Sequence, residues 1–227
     1  MTEFGIVDEQ IVYAKETPDS AWPMTGRVTD SSYDDEGPDE QYQNRMIWHA
    51  ASLLESLPGW DRIPEDHRAN TPVRLVQALH ELTVREDFNF TTFENKGDST
   101  EMIVLAPMPF YTMCAHHTLP FFGTAYIGYV PEGKIAGLSK FQRLVNWCAK
   151  GFWVQEELTR FLADELYNKL EPKGTAVVMR AEHLCMAMRG VQQPGVITTT
   201  SDMRGVYAQH DRLARAEFFE LAGLRRN

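Results

Sequence analysis

The spacing of hydrophobic positions changes several times along this chain, and each change marks an element. Residues 1–40 have no apolar period; Asp30–Glu40 is acidic and rich in turn formers, so the stretch reads as a flexible extension. From Gln41 to Leu57, the residues Met46, Ile47, Ala50, Leu53, Leu54 and Leu57 recur at helical spacing, and Pro58–Gly59 stops the pattern. Thr71 and Pro72 open a second helix as N-cap and first helical residue, with Val73, Val76, Leu79 and Leu82 on its apolar stripe. Strand character follows. Glu101–Leu105 is a short apolar run, and Gly123–Val130 alternates, with Ala125, Ile127 and Tyr129 on one face. After the turn at Pro131–Lys134, Ser139 caps a helix whose inner face is Phe141, Leu144, Val145 and Cys148. Val154–Leu170 forms another helix, with Leu158, Phe161, Leu162 and Leu166 inward. Thr175–Arg180 and His183–Gly190 read as strands, and Asp211–Leu221 as a last short helix.

Strands joined through short turns pair antiparallel, which predicts an α+β fold with its helices segregated to one face. The expected organisation is the extension at 1–40, an N-terminal helical region at 41–95 and a main domain at 96–227. Four strands leave two open edges, and open edges invite pairing with another chain. A homo-oligomer whose sheets run on into a barrel would remove them.

Composition narrows the setting. The 227 residues suffice for one sizeable domain with an extension, and a 43% hydrophobic content is ordinary for a globular protein. Three cysteines do not make a disulfide framework, which points to a reducing, cytoplasmic compartment. Neither a signal sequence nor a long apolar run is visible, so no membrane partner is expected. The net charge of -10 argues against nucleic acid as a partner. Lys140, Arg143 and Arg189 nevertheless supply local positive charge for a small anionic substrate.

The candidate chemistry lies in Cys114-Ala115-His116-His117 and in the segment from His183 to Arg189. Cys114, His117 and Cys185 can hold one zinc ion and leave its fourth position open, the catalytic form of zinc coordination. A tight turn or a helical turn brings Cys114 and His117 to the same side. Strand alternation would align His183, Cys185, Ala187 and Arg189 on one face, with Leu184, Met186 and Met188 on the apolar other. His116 and His183 flank the ligands as candidate proton carriers, which suggests a hydrolase. Plainer readings stand beside this one. A buried cysteine commonly packs as a small hydrophobe, as Cys148 does in its helical stripe, and neighbouring loop histidines can be idle.

From about Arg45 onward, the chain resembles GTP cyclohydrolase I. The resemblance rests on several motifs in one order. They are Thr71-Pro72-Val73-Arg74, Met113-Cys114-Ala115-His116-His117, Gly137-Leu138-Ser139-Lys140 and Arg143. Val154-Gln155-Glu156 with Leu158-Thr159 follows, then His183 with Cys185 through Gly190, and Thr198–Ser201. It implies a tunnelling fold: an antiparallel sheet with two helices on one face, assembled as pentameric barrels stacked into a decamer with active sites at subunit interfaces. It implies zinc on Cys114, His117 and Cys185, and conversion of GTP to 7,8-dihydroneopterin triphosphate and formate. In that chemistry His183 and His116 move protons while water attacks C8 of guanine. Glu156, with Gln155, accepts hydrogen bonds from the guanine edge. Lys140, Arg143, Arg189 and Arg74 hold the triphosphate, and Ser139 lies near the ribose.

The chain departs from the family pattern at Ala115, where the family usually has Glu; at Glu157, where it has Arg; and at Thr124, where it has Lys. Two other readings keep part of the pattern. One is a non-catalytic pterin- or nucleotide-binding paralogue of the same fold. The other is a related NADPH-dependent nitrile oxidoreductase, whose zinc-free cysteine nucleophile the Cys-x-x-His pair with a distant Cys does not suit.

Overall fold

The computed structural model describes residues 40–208 and 212–224, together with the backbone of Ile6–Val7 and Gln10–Ile11. The rest of the expected flexible extension lies outside the described residues. The chain divides into two units, Met1–Met46 and Ile47–Asn227. In the first, β1 (Ile6–Val7) and β2 (Gln10–Ile11) pair antiparallel. The first expected helix is present as α1 (Glu40–Glu55), which crosses the boundary.

In the second unit, a four-residue helix α2 (Glu65–Arg68) precedes α3 (Thr71–Thr83), the helix expected from Thr71-Pro72, although Asn70 holds its N-cap position and Thr71 is already the first helical residue. Two short strands, β3 (Thr92–Glu94) and β6 (Lys134–Ala136), pair with each other. The main sheet has five strands in the order β7-β4-β5-β8-β9. These are β4 (Ile103–Cys114), β5 (Pro120–Val130), β7 (Phe152–Trp153), β8 (Gly174–His183) and β9 (Ile197–Gly205). Every pairing in it is antiparallel except β4 with β7, which runs parallel over Met113–Phe152 and Cys114–Trp153.

The sheet's inner face carries Phe110, Phe121, Ala125, Ile127, Tyr129, Val177, Met179 and Ala181, all buried. Helix α4 (Leu138–Ala149) covers it with Phe141, Leu144, Val145 and Cys148, and α5 (Gln155–Leu170) with Leu158, Leu162 and Leu166. Burying each such large side chain contributes about 1.5–3 kcal/mol. Cys148 is core, as its helical stripe implied.

Several expectations need correction. The strand expected at Glu101–Leu105 continues to Cys114; Pro107 and Pro109 hid the continuation, and the ladder absorbs them with a register shift between Leu105 and Met108. The strand expected at His183–Gly190 stops at His183, where a single helical turn α6 (Leu184–Ala187) begins. Both edge strands of the sheet, β7 and β9 with its polar run Thr198–Ser201, are strands that the alternation did not reveal. Ser139 is not the cap of α4: Gly137 holds that position and Ser139 is the second helical residue.

The helices are also not all on one face. Helix α7 (Arg212–Leu221) packs Phe218 on the opposite face, against Ala176, Val178 and Tyr207. Gly128 makes room for it, because a Cβ there would lie 2.6 Å from the Phe218 ring.

Among the described residues, β9 has a free outer edge, and β7 covers only the last two residues of β4. No helix of the described residues is long and apolar enough to cross a membrane.

Candidate active site

The hairpin between β4 and β5 builds one half of the site. Cys114 ends β4 and is 4% exposed. The Thr118 N–H donates to the Cys114 carbonyl (2.9 Å) and the Cys114 N–H to that of Leu119 (2.8 Å), so the connection folds into a tight turn. Thr118 sits at φ 52°, in the left-handed region, where the chain reverses. The turn swings His117 back until its Nδ1 is 3.9 Å from Cys114 Sγ. His116, next along the turn, is exposed, and its ring packs edge-on to that of His117 at 6.1 Å.

The other half comes from the end of β8. His183 pairs in register with Phe121 of β5, which carries it to the same end of the sheet as Cys114. The helical turn α6 then brings Cys185 inward. Ligand atoms of Cys114, His183 and Cys185 all lie within 4.8 Å of one another. Alternation along a strand therefore did not join His183 and Cys185; a strand end followed by a helical turn did. Burial pushes the Cys185 thiol up, as does the neighbouring Cys114, while Arg189 pulls the other way. Two thiols this close resist ionising together, so the donor set suits a shared cation that displaces their protons. All three cysteines of the chain are free.

His183 is held on two sides. Its ring stacks on buried Phe121, with centroids 4.4 Å apart and planes inclined by 6°. Its Nε2 meets Gln155 Oε1 at 2.7 Å. Burial holds the imidazole below the usual histidine range, against the opposing pull of the Glu156 carboxylate. Gln155, the first residue of α5, is 2% exposed. Its Nε2, with two hydrogens to give, lies within hydrogen-bond reach of the carbonyls of Met179 (3.2 Å) and Thr198 (3.1 Å) and of Thr200 Oγ1 (3.1 Å), so one hydrogen is shared between two acceptors. Glu156 and Glu157, in the first turn of α5, are exposed, where the helix dipole favours negative charge. They line a cavity of about 370 Å³ with Arg160, Thr200, Ser201 and Asp202.

The basic residues sit on several elements. Arg189 follows α6 in the loop that leads to β9, is exposed, and acts electrostatically on Cys185. Lys140, early in α4, donates to the Asn89 carbonyl at 2.7 Å. Exposed Arg143, on the same helix, lines a cavity of about 400 Å³ between α3 and α4. Arg74 in α3 and Ser139 in α4 are exposed. Within one chain the structure thus gathers Cys114, His117, His183 and Cys185, with Gln155 and Glu156 behind them. Arg74, Ser139, Lys140 and Arg143 occupy other elements.

Sequence reasoning missed several supporting groups. Glu182 Oε1 accepts the Gly195 N–H at 2.7 Å and so staples the loop that carries Arg189. Thr159, Thr200 and Phe121 brace Gln155 and His183. The available signal was the polar Thr198–Ser201 run beside an otherwise apolar sheet.

Comparison with known proteins adds a family to this geometry. The GTP cyclohydrolase I family matches residues 49–223. The chain is 47% identical over 151 residues to GTP cyclohydrolase 1 of Hydrogenobaculum sp. (strain Y04AAS1), covering 66% of this chain and 82% of that protein. It is 46% identical over 151 residues to GTP cyclohydrolase 1 of Aquifex aeolicus (strain VF5), with the same coverage of 66% and 82%. It is 43% identical over 179 residues to GTP cyclohydrolase 1 of Mycobacteroides abscessus, covering 75% of this chain and 86% of that protein.

Proposed function

Because the chain belongs to the GTP cyclohydrolase I family, we propose that it opens the imidazole ring of GTP to give 7,8-dihydroneopterin triphosphate and formate, with zinc as cofactor. That product would enter tetrahydrofolate, pterin or 7-deazaguanine synthesis in the cytoplasm. The observation that carries the reading is the meeting of Cys114, His183 and Cys185 within 4.8 Å, with His117 Nδ1 3.9 Å from Cys114 Sγ. Thiol and imidazole donors suit zinc. Cys114, His117 and Cys185 would hold the ion and His183 would stand beside it. When bound, zinc lowers the pKa of a coordinated water to about 7 and so supplies a nucleophile for C8 of guanine at neutral pH.

The side chains do the rest. His183, rigid on Phe121, protonates the opening ring at N7. His116, exposed on the turn, carries the second proton. The Glu156 carboxylate accepts from the guanine N1–H and amino group; adenine lacks both donors at that edge. Lys140, Arg143 and Arg189 hold the triphosphate, where the guanidinium fork matches phosphate oxygens. Ser139 lies near the ribose. Arg74 would reach the triphosphate from a neighbouring subunit. The open edges of β4 and β9 support an oligomer in which the sheet continues from chain to chain, as a decamer of two pentamers with its sites at the interfaces.

The test is turnover with a choice of base. The zinc-loaded protein should release one formate per GTP and leave a pterin that fluoresces after oxidation, and it should leave ATP intact. Glu156→Ala should raise KM for GTP at least tenfold, in line with losing a hydrogen-bonded charged contact of about 1.5–3 kcal/mol. GTP that binds but yields no formate would point to a non-catalytic paralogue. Equal turnover of ATP would remove the role of Glu156.

A further inference from the structure

Backbone carbonyls fix the directions of the hydrogen bonds around Gln155. The Gln155 side-chain nitrogen faces the carbonyls of Met179 and Thr198, which can only accept. The amide therefore cannot be flipped, since a flip would set its oxygen against two other oxygens. The hydroxyls agree with this sense. Thr159 Oγ1 donates to the Gln155 backbone carbonyl at 2.7 Å. That uses its only hydrogen, so in the 2.6 Å contact between Thr159 and Thr200 the Thr200 hydroxyl is the donor. Thr200 Oγ1 is then free to accept from the Gln155 amide at 3.1 Å. Every direction around the ring is set by backbone carbonyls.

One consequence reaches the site. With its nitrogen committed, Gln155 presents only Oε1 to His183, and Oε1 can only accept. The His183 Nε2, 2.7 Å away, must carry a hydrogen. We propose that Gln155 is a positioning residue that holds the His183 ring in one rotation and fixes it as the Nε2–H tautomer. The Phe121 stack fixes the ring plane and the Gln155 bond fixes its rotation within that plane. Gln155 is buried to 2% exposure with both amide groups engaged inside the protein, so its effect on GTP passes through His183. This inference rests on the proposed ring opening, in which His183 carries the proton.

Two readouts test it. In zinc-loaded protein labelled with ¹⁵N-histidine, solid-state ring spectra should show His183, assigned by its loss in His183→Ala, as the Nε2–H tautomer. An Nδ1–H tautomer in the wild-type protein would overturn the proposal, and this readout needs no variant of Gln155 to fold. Gln155→Met, similar in length but without hydrogen-bonding groups, should lower kcat about 10–100-fold, the usual worth of a partner that orients an imidazole, with KM for GTP nearly unchanged. In a His183→Ala background the same substitution should change the residual rate little. A rise in KM alone, or an equal loss in both backgrounds, would overturn the proposal. If wild-type protein released no formate from GTP, the proposed function would fall, while the ring spectra would still decide the tautomer.

Discussion

Replacing Cys185 with alanine should strip the bound zinc and reduce formate release from GTP by about 10³-fold or more. The metal is asked for several kcal/mol of transition-state stabilisation, and each 1.36 kcal/mol is a factor of ten in rate. Cys185 holds its place through the helical turn after β8, within 4.8 Å of the other donors, and alanine leaves that turn intact. The loss should therefore appear in zinc content and rate, with the unfolding temperature of the metal-free protein little changed. Cys148→Ala is the matching control. That thiol is fully buried in the helical core, and burial pushes it far above the usual thiol range, so its removal should leave one zinc per chain. Zinc measured by atomic emission and formate measured enzymatically decide the matter. Retention of both in Cys185→Ala would remove it from the ligand set.

The second large effect separates two histidines that both lie close to Cys114. His117→Ala should lose zinc and activity together. His183→Ala should keep zinc while kcat falls by about 10²–10⁴-fold, the usual worth of a positioned general acid. The distinction is needed because the ligand atom of His183 also lies within 4.8 Å of both sulfurs. Its hydrogen bond to Gln155 at 2.7 Å and its stack on Phe121 suit a rigid proton carrier beside the metal. The measurement is zinc per chain in the two variants, together with single-turnover rates at saturating GTP. Zinc lost from His183→Ala and kept in His117→Ala would exchange the two roles.

Much of this arrangement was legible in the sequence, for physical reasons that differ by element. Helices α1, α3, α4 and α5 carry sustained apolar stripes, and local periodicity is enough to find them. The pairing of Cys114 with a distant Cys185 was legible from chemistry, because a Cys-x-x-His pair needs further ligands from elsewhere. How Cys185 arrives was not. The strand reading ran through His183 because alternate residues there differ in polarity, whereas Leu184, Met186 and Ala187 are good helix formers that take one turn instead. Edge strands hide for a related reason. β9 is half exposed and its threonines serve Gln155 and Thr159, so no apolar alternation marks it. The side taken by α7 depends on a long-range fit between Gly128 and Phe218, which local pattern does not encode. The role of Gln155 was hidden likewise, since it depends on carbonyls brought together from β8 and β9.

The most direct measurement is a zinc titration of metal-stripped protein, followed by formate release from saturating GTP. The rate should start near zero, rise in proportion to added zinc and level off at one ion per chain. Full activity in the metal-stripped protein, or no formate at full zinc occupancy, would contradict a zinc-dependent ring opening at the Cys114–Cys185 site.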